Sequence, residues 1–204
     1  MFSTGLLLSV SLIACSDTAE QVESDTPENL VTMRFDFGST KDGDADWFAL
    51  NDTVMGGVSQ GATELHDTSM VFSGTVSTDS NGGFVSLRSP NGEYDLSPYT
   101  DVVISYRLEG PEFSMVLADQ TMWYMPQFKH EVLMQSDDWT TTKVSLYDFK
   151  QYARSGYGES ETGLEMSEDY LSTVIRIELI NSTFQDSDFR LEIDYIEFQG
   201  IKED

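Results

Sequence analysis

From Val31 onward, apolar and polar residues alternate along the chain with a period of two. Such alternation places every second side chain on the same face of a β-strand. The clearest segments are 31–37, 101–108 and 189–198; glycine, proline and Asn-Gly signals separate the alternating runs, and helical periodicity is scarcely present. The pattern predicts about nine strands with little helix, in an all-β sandwich that forms one domain over residues 31–204.

Two stretches in the middle of the chain complete this prediction. Residues 113–117 and 122–128 are predicted to form two strands, joined by a hairpin connection at 118–120. The second strand would expose an aromatic side chain on each face, since Trp123 and Tyr124 are consecutive. Residues 148–168 interrupt the alternation, and we expect a long loop with one helical turn there.

The N-terminal residues 1–14 carry no charge and include an apolar run from Gly5 to Ala14. This run is too short to cross a bilayer as a permanent anchor but suits the core of a signal peptide. It ends at Cys15 in the sequence Leu-Ile-Ala-Cys, which resembles a bacterial lipoprotein box in which the cysteine becomes lipidated. The alternative is an ordinary signal peptide followed by an incidental cysteine.

The segment after the cysteine predicts how the domain is held. Residues 15–30 contain five acidic residues and no basic ones, which is typical of a solvated, flexible tether. Ser16 follows the cysteine, and resemblance to lipoproteins of Gram-negative bacteria then implies sorting to the outer membrane. The expected location is the bacterial cell envelope, with the domain lipid-anchored and facing the periplasm.

Charge and cysteine content exclude several classes of function. The 204 residues include 36 acidic and 11 basic side chains, a net charge of −25. Nucleic acid is therefore not an expected partner, because its phosphates would be repelled. One cysteine and two histidines exclude a disulfide framework and a Cys/His zinc site, and no cofactor or bound metal is expected.

Two short motifs resemble catalytic or metal-binding sequences. Residues 57–61 match G-x-S-x-G around Ser59, but the strand–turn–helix context of a nucleophile elbow is missing. Residues 42–46 begin like a calcium loop, yet Trp47 and Thr53 stand where Gly and Glu are required. A solvated acidic turn is favoured over an irregular calcium site, and no enzyme activity is expected.

Aromatic residues offer a different kind of binding chemistry. Their rings could stack on sugars, although core packing is favoured for aromatics in a sandwich. The candidates for carbohydrate stacking are Trp123, Tyr124 and Phe128.

The densest motif is Asn51–Ser59, Asn-Asp-Thr-Val-Met-Gly-Gly-Val-Ser, and Gly82-Gly83-Phe84 repeats its glycine pair. Together with Phe72-Ser73-Gly74, with the continuation to Arg88 and with the segments 139–149 and 189–196, it resembles the complex I intermediate-associated protein 30 family. The resemblance covers about residues 33–199. It implies a galactose-binding-like jelly-roll sandwich related in shape to carbohydrate-binding modules.

The mitochondrial members of that family are assembly chaperones for respiratory complex I and have no known catalysis. The resemblance therefore implies a non-catalytic, membrane-tethered binding or assembly module that acts on a protein partner. A carbohydrate-binding module of the cell envelope is the alternative. Arg88 is expected to form a buried pair with Asp52 or another carboxylate. The candidate binding residues carried over by position are Asn51, Asp52, Met55, Gly56, Gly57, Ser59, Gly82, Gly83, Phe84 and Arg88.

Overall fold

A computed structural model describes residues 29–40, 46–155 and 158–202. The predicted signal peptide, Cys15 and nearly all of the tether lie outside the described residues, as does most of the acidic turn at 42–46. The first strand begins at Leu30, the last residue of the predicted tether. No helix in the described ranges combines the length and apolarity needed to cross a membrane.

The described residues form strands joined by loops and a few short helices, which confirms the all-β prediction. The helical elements are α1 (Glu168–Leu171) and 3-10 turns at Asp52–Met55, Asp79–Asn81 and Leu146–Asp148. The strands are β1 (Leu30–Asp36), β2 (Phe48–Asn51), β3 (Gln60–Leu65), β4 (Met70–Val76), β5 (Val85–Arg88), β6 (Asp101–Glu109), β7 (Phe113–Ala118), β8 (Gln127–Leu133), β9 (Ser136–Ser145), β10 (Lys150–Ser155), β11 (Gly158–Glu165), β12 (Arg176–Asn181) and β13 (Ser187–Ile201).

Two antiparallel sheets face each other. The six-stranded sheet has the order β3-β4-β13-β6-β9, with β1 also paired to β13. The strands β4 and β1 both pair with one side of the long strand β13. Ser187–Ile193 pairs with β4, and the part from Tyr195 onward pairs with β1. The seven-stranded sheet has the order β11-β10-β8-β7-β12-β5-β2.

The core lies between the inner faces of the two sheets, where alternating apolar positions meet. Rings from both sheets pack edge to face: Phe72 of β4 lies 4.9 Å from Phe189 of β13 and 6.1 Å from Phe113 of β7, measured between ring centroids. Burying these apolar faces is the main stabilising contribution to the fold. The outer faces of the strands remain free to carry polar and charged side chains.

The predicted strand over 122–128 is wrong. Residues 119–126 form a loop, which the Met125 amide closes by donating to the Met122 carbonyl at 3.2 Å, and β8 begins only at Gln127. Pro126 stands directly before β8 and has no amide hydrogen to donate to a sheet. Trp123 and Tyr124 therefore lie in a loop and not on the two faces of a strand.

The predicted loop over 148–168 is also wrong. Most of it forms a hairpin of β10 and β11 at the edge of the seven-stranded sheet, and the helical turn α1 comes after it. The residues of β11 are all exposed, so this strand has no apolar face and shows no alternation.

Candidate functional site

The family motif is organised around the buried carboxylate of Asp52, which is 1% exposed at the start of a 3-10 turn. Its Oδ1 accepts a hydrogen bond from the Ser59 amide at 2.9 Å. Its Oδ2 accepts from the Ser59 hydroxyl, from the Gly83 amide at 2.7 Å and from the Phe84 amide at 3.3 Å. We call these contacts the Asp52 network; they join the loop after β2 to the segment before β5.

The glycine pairs exist because backbone must approach this carboxylate closely. A Cβ atom at Gly57 would lie 2.4 Å from the Asp52 carboxyl carbon, and one at Gly82 would lie 2.5 Å from Oδ2. Gly56 and Gly83 adopt φ of +92° and +131°, which other residues rarely adopt. The glycines therefore have a structural role in the loop.

The electrostatics of the Asp52 network favour the ionised carboxylate. Burial alone would raise the pKa of Asp52, but the hydrogen bonds from Ser59, Gly83 and Phe84 outweigh it and hold the pKa below its ordinary value. Asn51 stabilises the same loop, since its Nδ2 donates to the Gly61 carbonyl at 3.0 Å.

Ser59 is a structural residue and not a nucleophile. Its side chain is fully buried, and its hydroxyl donates to Asp52 and accepts from the Ser77 amide at 2.9 Å. The two histidines have other contacts: His66 lies 3.6 Å from Glu64, and the His130 ring lies 5.5 Å from the Phe149 ring.

The Asp52 network places the tip of the loop beside a cleft. Val54 and Met55 are exposed there, at 64% and 53%. They form one wall of a cavity of about 300 Å³ on the outer face of the seven-stranded sheet, which we call the sheet cleft. Phe84 and Arg88, also predicted from the motif, line the same cleft, and Trp123 and Met125 form the opposite wall.

The floor of the sheet cleft contains a buried charge cluster on β5 and β12. Arg88 Nη2 donates to Glu178 Oε1 at 2.8 Å, and Arg176 Nε lies 3.6 Å from Glu178 Oε2. Arg88 therefore pairs with another carboxylate and not with Asp52. We call Arg88, Arg176 and Glu178 the Glu178 cluster; it has two positive charges and one negative charge.

A second cluster at the other end of the cleft repeats this composition. Lys129 and Arg154 share Glu159, with Arg154 Nε 3.6 Å from its carboxylate. Both cations also cover rings: Lys129 lies 4.8 Å from the Tyr152 centroid, and Arg154 lies 5.0 Å from the Trp123 centroid. We call Lys129, Arg154 and Glu159 the Glu159 cluster.

The predicted carbohydrate-stacking set is only partly brought together. Trp123 and Tyr124 are about half exposed, but their planes meet at 85° and make no common flat platform. Phe128 is wrongly included, because it is fully buried in the core with its ring 4.5 Å from the Tyr170 ring. Its position on β8 puts it on the inner face, whereas its neighbours Gln127 and Lys129 point into the cleft.

The sequence prediction missed the charged residues from β8, β10 and β12. Arg176 and Glu178 alternate with the core residues Ile177 and Leu179, which is the pattern of a strand with one charged face. Basic residues are scarce in this acidic chain, so their outward positions on these strands were the signal that could have identified the site. In the described ranges, no three His, Cys, Asp or Glu side chains come together as a metal site.

Solved structures with a similar fold support this description of the sandwich. One is a family 11 carbohydrate-binding module from Clostridium thermocellum, described in complex with a β-1,3-1,4-mixed-linked tetrasaccharide; it is 14% identical with a TM-score of 0.59, over 83% of this chain and 97% of that one. The solution structure of CtCBM11 is 13% identical with a TM-score of 0.59, over 87% of this chain and all of that one. The jelly-roll prediction is thereby confirmed.

Sequence comparison identifies the family more directly. No curated protein matches the chain significantly in sequence. The family model described as complex I intermediate-associated protein 30 matches residues 35–193, a span that includes the Asp52 network and both charge clusters of the sheet cleft. The chain therefore belongs to the complex I intermediate-associated protein 30 family.

Proposed function

We propose that this protein is a non-catalytic binding module that recognises a segment of a protein partner in the sheet cleft. The main support is the composition of the cleft walls. Exposed apolar side chains surround a concave, partly charged floor; they are Val54, Met55, Trp123 and Met125. Methionine, tryptophan and arginine are enriched at protein interfaces, and methionine adapts its shape to different apolar partners. Membership in a family named for an assembly intermediate supports the same choice.

The walls are arranged so that binding would bury apolar surface. Met55 follows the end of β2, which lies in register with Asn181 of β12, and Trp123 follows the end of β7, which lies in register with Arg176. The two loops therefore leave opposite ends of the strands, and one segment bound in the cleft would contact both. Each apolar side chain that becomes buried contributes roughly 25 cal/mol per Å². The Asp52 network fixes the loop that carries Met55, which lowers the entropy lost on binding.

Site-specific photo-crosslinking tests this function. A benzoylphenylalanine placed at Met55 or Met125 should form the same adduct with one protein in cells that produce the chain natively. Met134 is the matched control, because it is equally exposed at 54% but does not line the cleft. The partner, identified by mass spectrometry and purified, should bind wild-type protein more tightly than Met55→Ser. Equal adducts at Met55 and Met134, or equal affinities, would exclude the cleft as the binding site.

We also propose that the module is tethered to an envelope membrane through a lipid on Cys15. The support is the lipoprotein-like sequence ending at that residue, followed by the acidic segment 15–30. Metabolic labelling with a palmitate analogue should mark the wild type and leave Cys15→Ser unlabelled. Equal labelling of both proteins would contradict the lipid anchor.

Carbohydrate binding is the second candidate, because Trp123 is half exposed at the cleft and offers a ring to a sugar. The crossed orientation of Trp123 and Tyr124 and the cover of Arg154 over Trp123 leave less ring surface than a flat platform would. A glycan array with hits that disappear in Trp123→Ala would favour this candidate over the protein partner. An array without hits would remove it.

A further inference from the structure

The charge of the sheet cleft is opposite to that of the chain. The cleft is lined by four basic residues and two carboxylates among the described residues, while the whole sequence has 11 basic and 36 acidic side chains. More than a third of the basic residues thus line one cavity. Each cluster has two cations that share one carboxylate, so both ends of the cleft carry an excess positive charge.

Arg176 is the least satisfied of these cations. It is only 5% exposed, and its Nε is buried without a hydrogen-bond partner in the described structure. Glu178 is 3.6 Å away, beyond a good hydrogen bond, and its close contact at 2.8 Å goes to Arg88. A buried charge that lacks a full partner is costly, and a carboxylate from a ligand would complete the pairing.

The direction of Arg176 follows from the strand register. Ile177 and Leu179 point into the core, so Arg176 and Glu178 point to the outer face that forms the cleft floor. Burial lowers the pKa of the Arg176 guanidinium, Arg88 adds to this effect, and Glu178 opposes it. An added negative charge would counter the repulsion from Arg88 and compensate for the cost of burial.

The spacing of the two clusters limits what can bind both. Glu178 on β12 pairs with Val116 on β7, and Val116 pairs with Lys129 on β8. Two strand spacings separate the backbone positions of the clusters by about 10 Å. A peptide in the polyproline II conformation advances about 3.1 Å per residue with three residues per turn. Acidic side chains three residues apart would therefore point to the same side and span about 9 Å, close to this distance.

We propose that the sheet cleft binds an acidic segment of the protein partner, in which one carboxylate pairs with Arg176 and Arg88 and another, three residues away, pairs with Lys129 and Arg154. This rests on the proposed function and names the chemistry of the segment. The methionines on the walls favour a peptide over an acidic oligosaccharide. One face of the Trp123 ring is already covered by Arg154, which reduces the surface for sugar stacking.

A random peptide library selected on the full-length protein tests the proposal. The selected peptides should contain two Asp or Glu residues three positions apart, next to apolar residues. Arg176→Met should weaken their binding about 10- to 100-fold, as expected for loss of a charge-assisted hydrogen bond. Lys143→Met is the control and should bind normally, because Lys143 is an exposed cation on the six-stranded sheet.

Arg154→Met is a second variant on the exposed side of the cleft, and thermal unfolding will show whether each protein is folded. Replacing only the acidic residue that pairs with Arg176 by Gln or Asn should cause a loss at least as large as Arg176→Met, and it should have a much smaller further effect on the binding of the Arg176→Met protein.

Peptides that depend on Met55 but show no acidic preference would overturn this inference and leave the proposed function intact. A selection that gives no peptide sensitive to any cleft variant would overturn both. Binding of uronic or sulfated oligosaccharides that is lost in Arg176→Met would assign the cleft to an anionic sugar instead.

Discussion

The Asp52 network makes a quantitative prediction for Asp52→Asn, a change that keeps the shape of the side chain and removes its charge. In wild type, Oδ2 accepts three hydrogen bonds and Oδ1 accepts one. The amide is best oriented with its oxygen at the Oδ2 position, so its NH₂ group faces the Ser59 amide. The hydrogen bond from the Ser59 amide to Oδ1 is then lost, because two N–H donors face each other there. The three hydrogen bonds to Oδ2 are kept, but their acceptor is now neutral.

Hydrogen bonds to charged groups contribute roughly 1.5–3 kcal/mol and neutral ones roughly 0.5–1.5 kcal/mol. The neutral amide also loses the desolvation cost of a buried charge, which offsets part of the difference. We therefore expect Asp52→Asn to lower the free energy of unfolding by about 3 kcal/mol at pH 7. For a domain of this size that corresponds to a fall in Tm of about 9 °C.

Urea unfolding followed by tryptophan fluorescence measures this change. Asp79→Asn is the matched control, because Asp79 lies in the neighbouring 3-10 turn but is exposed, and it should stay within about 0.5 kcal/mol of wild type. The pKa of Asp52 is lowered by folding, so its contribution is present above the ordinary carboxyl pKa and is lost as pH falls through the folded value. The difference between wild type and Asp52→Asn should shrink below about pH 4. A variant as stable as wild type at pH 7 would refute the role of the network.

Three further changes test other parts of the structure. Burial alone would raise the pKa of Glu192, but its hydrogen bonds from serine and arginine side chains hold the pKa at about 2. Glu192→Gln should therefore lower the free energy of unfolding by about 3 kcal/mol at pH 7. In urea titrations this difference from wild type should disappear as the pH falls from about 4.5 toward 2. Arg88→Met removes the 2.8 Å partner of Glu178 and should lower Tm by about 6 °C in calorimetry, and an unchanged Tm would exclude this structural role. Gly57→Ala places a Cβ 2.4 Å from a buried carboxyl carbon and should destabilise by more than about 2 kcal/mol in urea, whereas Gly158→Ala, with nothing within 4 Å, should be nearly neutral.

The fold could be predicted where one face of a strand is buried and the other is not. The segments 31–37, 101–108 and 189–198 follow this rule and correspond to β1, β6 and most of β13. The hairpin of β10 and β11 escaped prediction because β11 is exposed along its whole length, so hydrogen bonding to β10 defines it and apolar alternation does not. The loop at 119–126 was mistaken for a strand because its apolar residues line the cleft.

The candidate site was predictable only in its local part. The two glycine pairs showed that the loop at 51–59 and the segment at 82–84 are structurally demanding, and both belong to the Asp52 network. The charge clusters depend on residues from strands far apart in sequence. Arg88 and Glu178 are 90 residues apart and meet because β5 pairs with β12 in one register. A single sequence does not specify that register.

The family motif and the cleft proposed to bind a partner share Val54, Met55, Phe84 and Arg88, whereas the other charged residues of the cleft lie outside the motif. There is no room for a side chain beside the buried Asp52 carboxylate, since a Cβ atom at Gly57 or Gly82 would lie 2.4–2.5 Å from it, so almost any change there disturbs the fold. The side chains of Lys129 and Arg154 point outward from the sheet, and changing them alters the charge of the cleft with little effect on the core. Under the proposed function, proteins with the same motif would position Val54 and Met55 in the same way and still bind ligands of different charge, because their specificity would reside in the outward residues of the seven-stranded sheet.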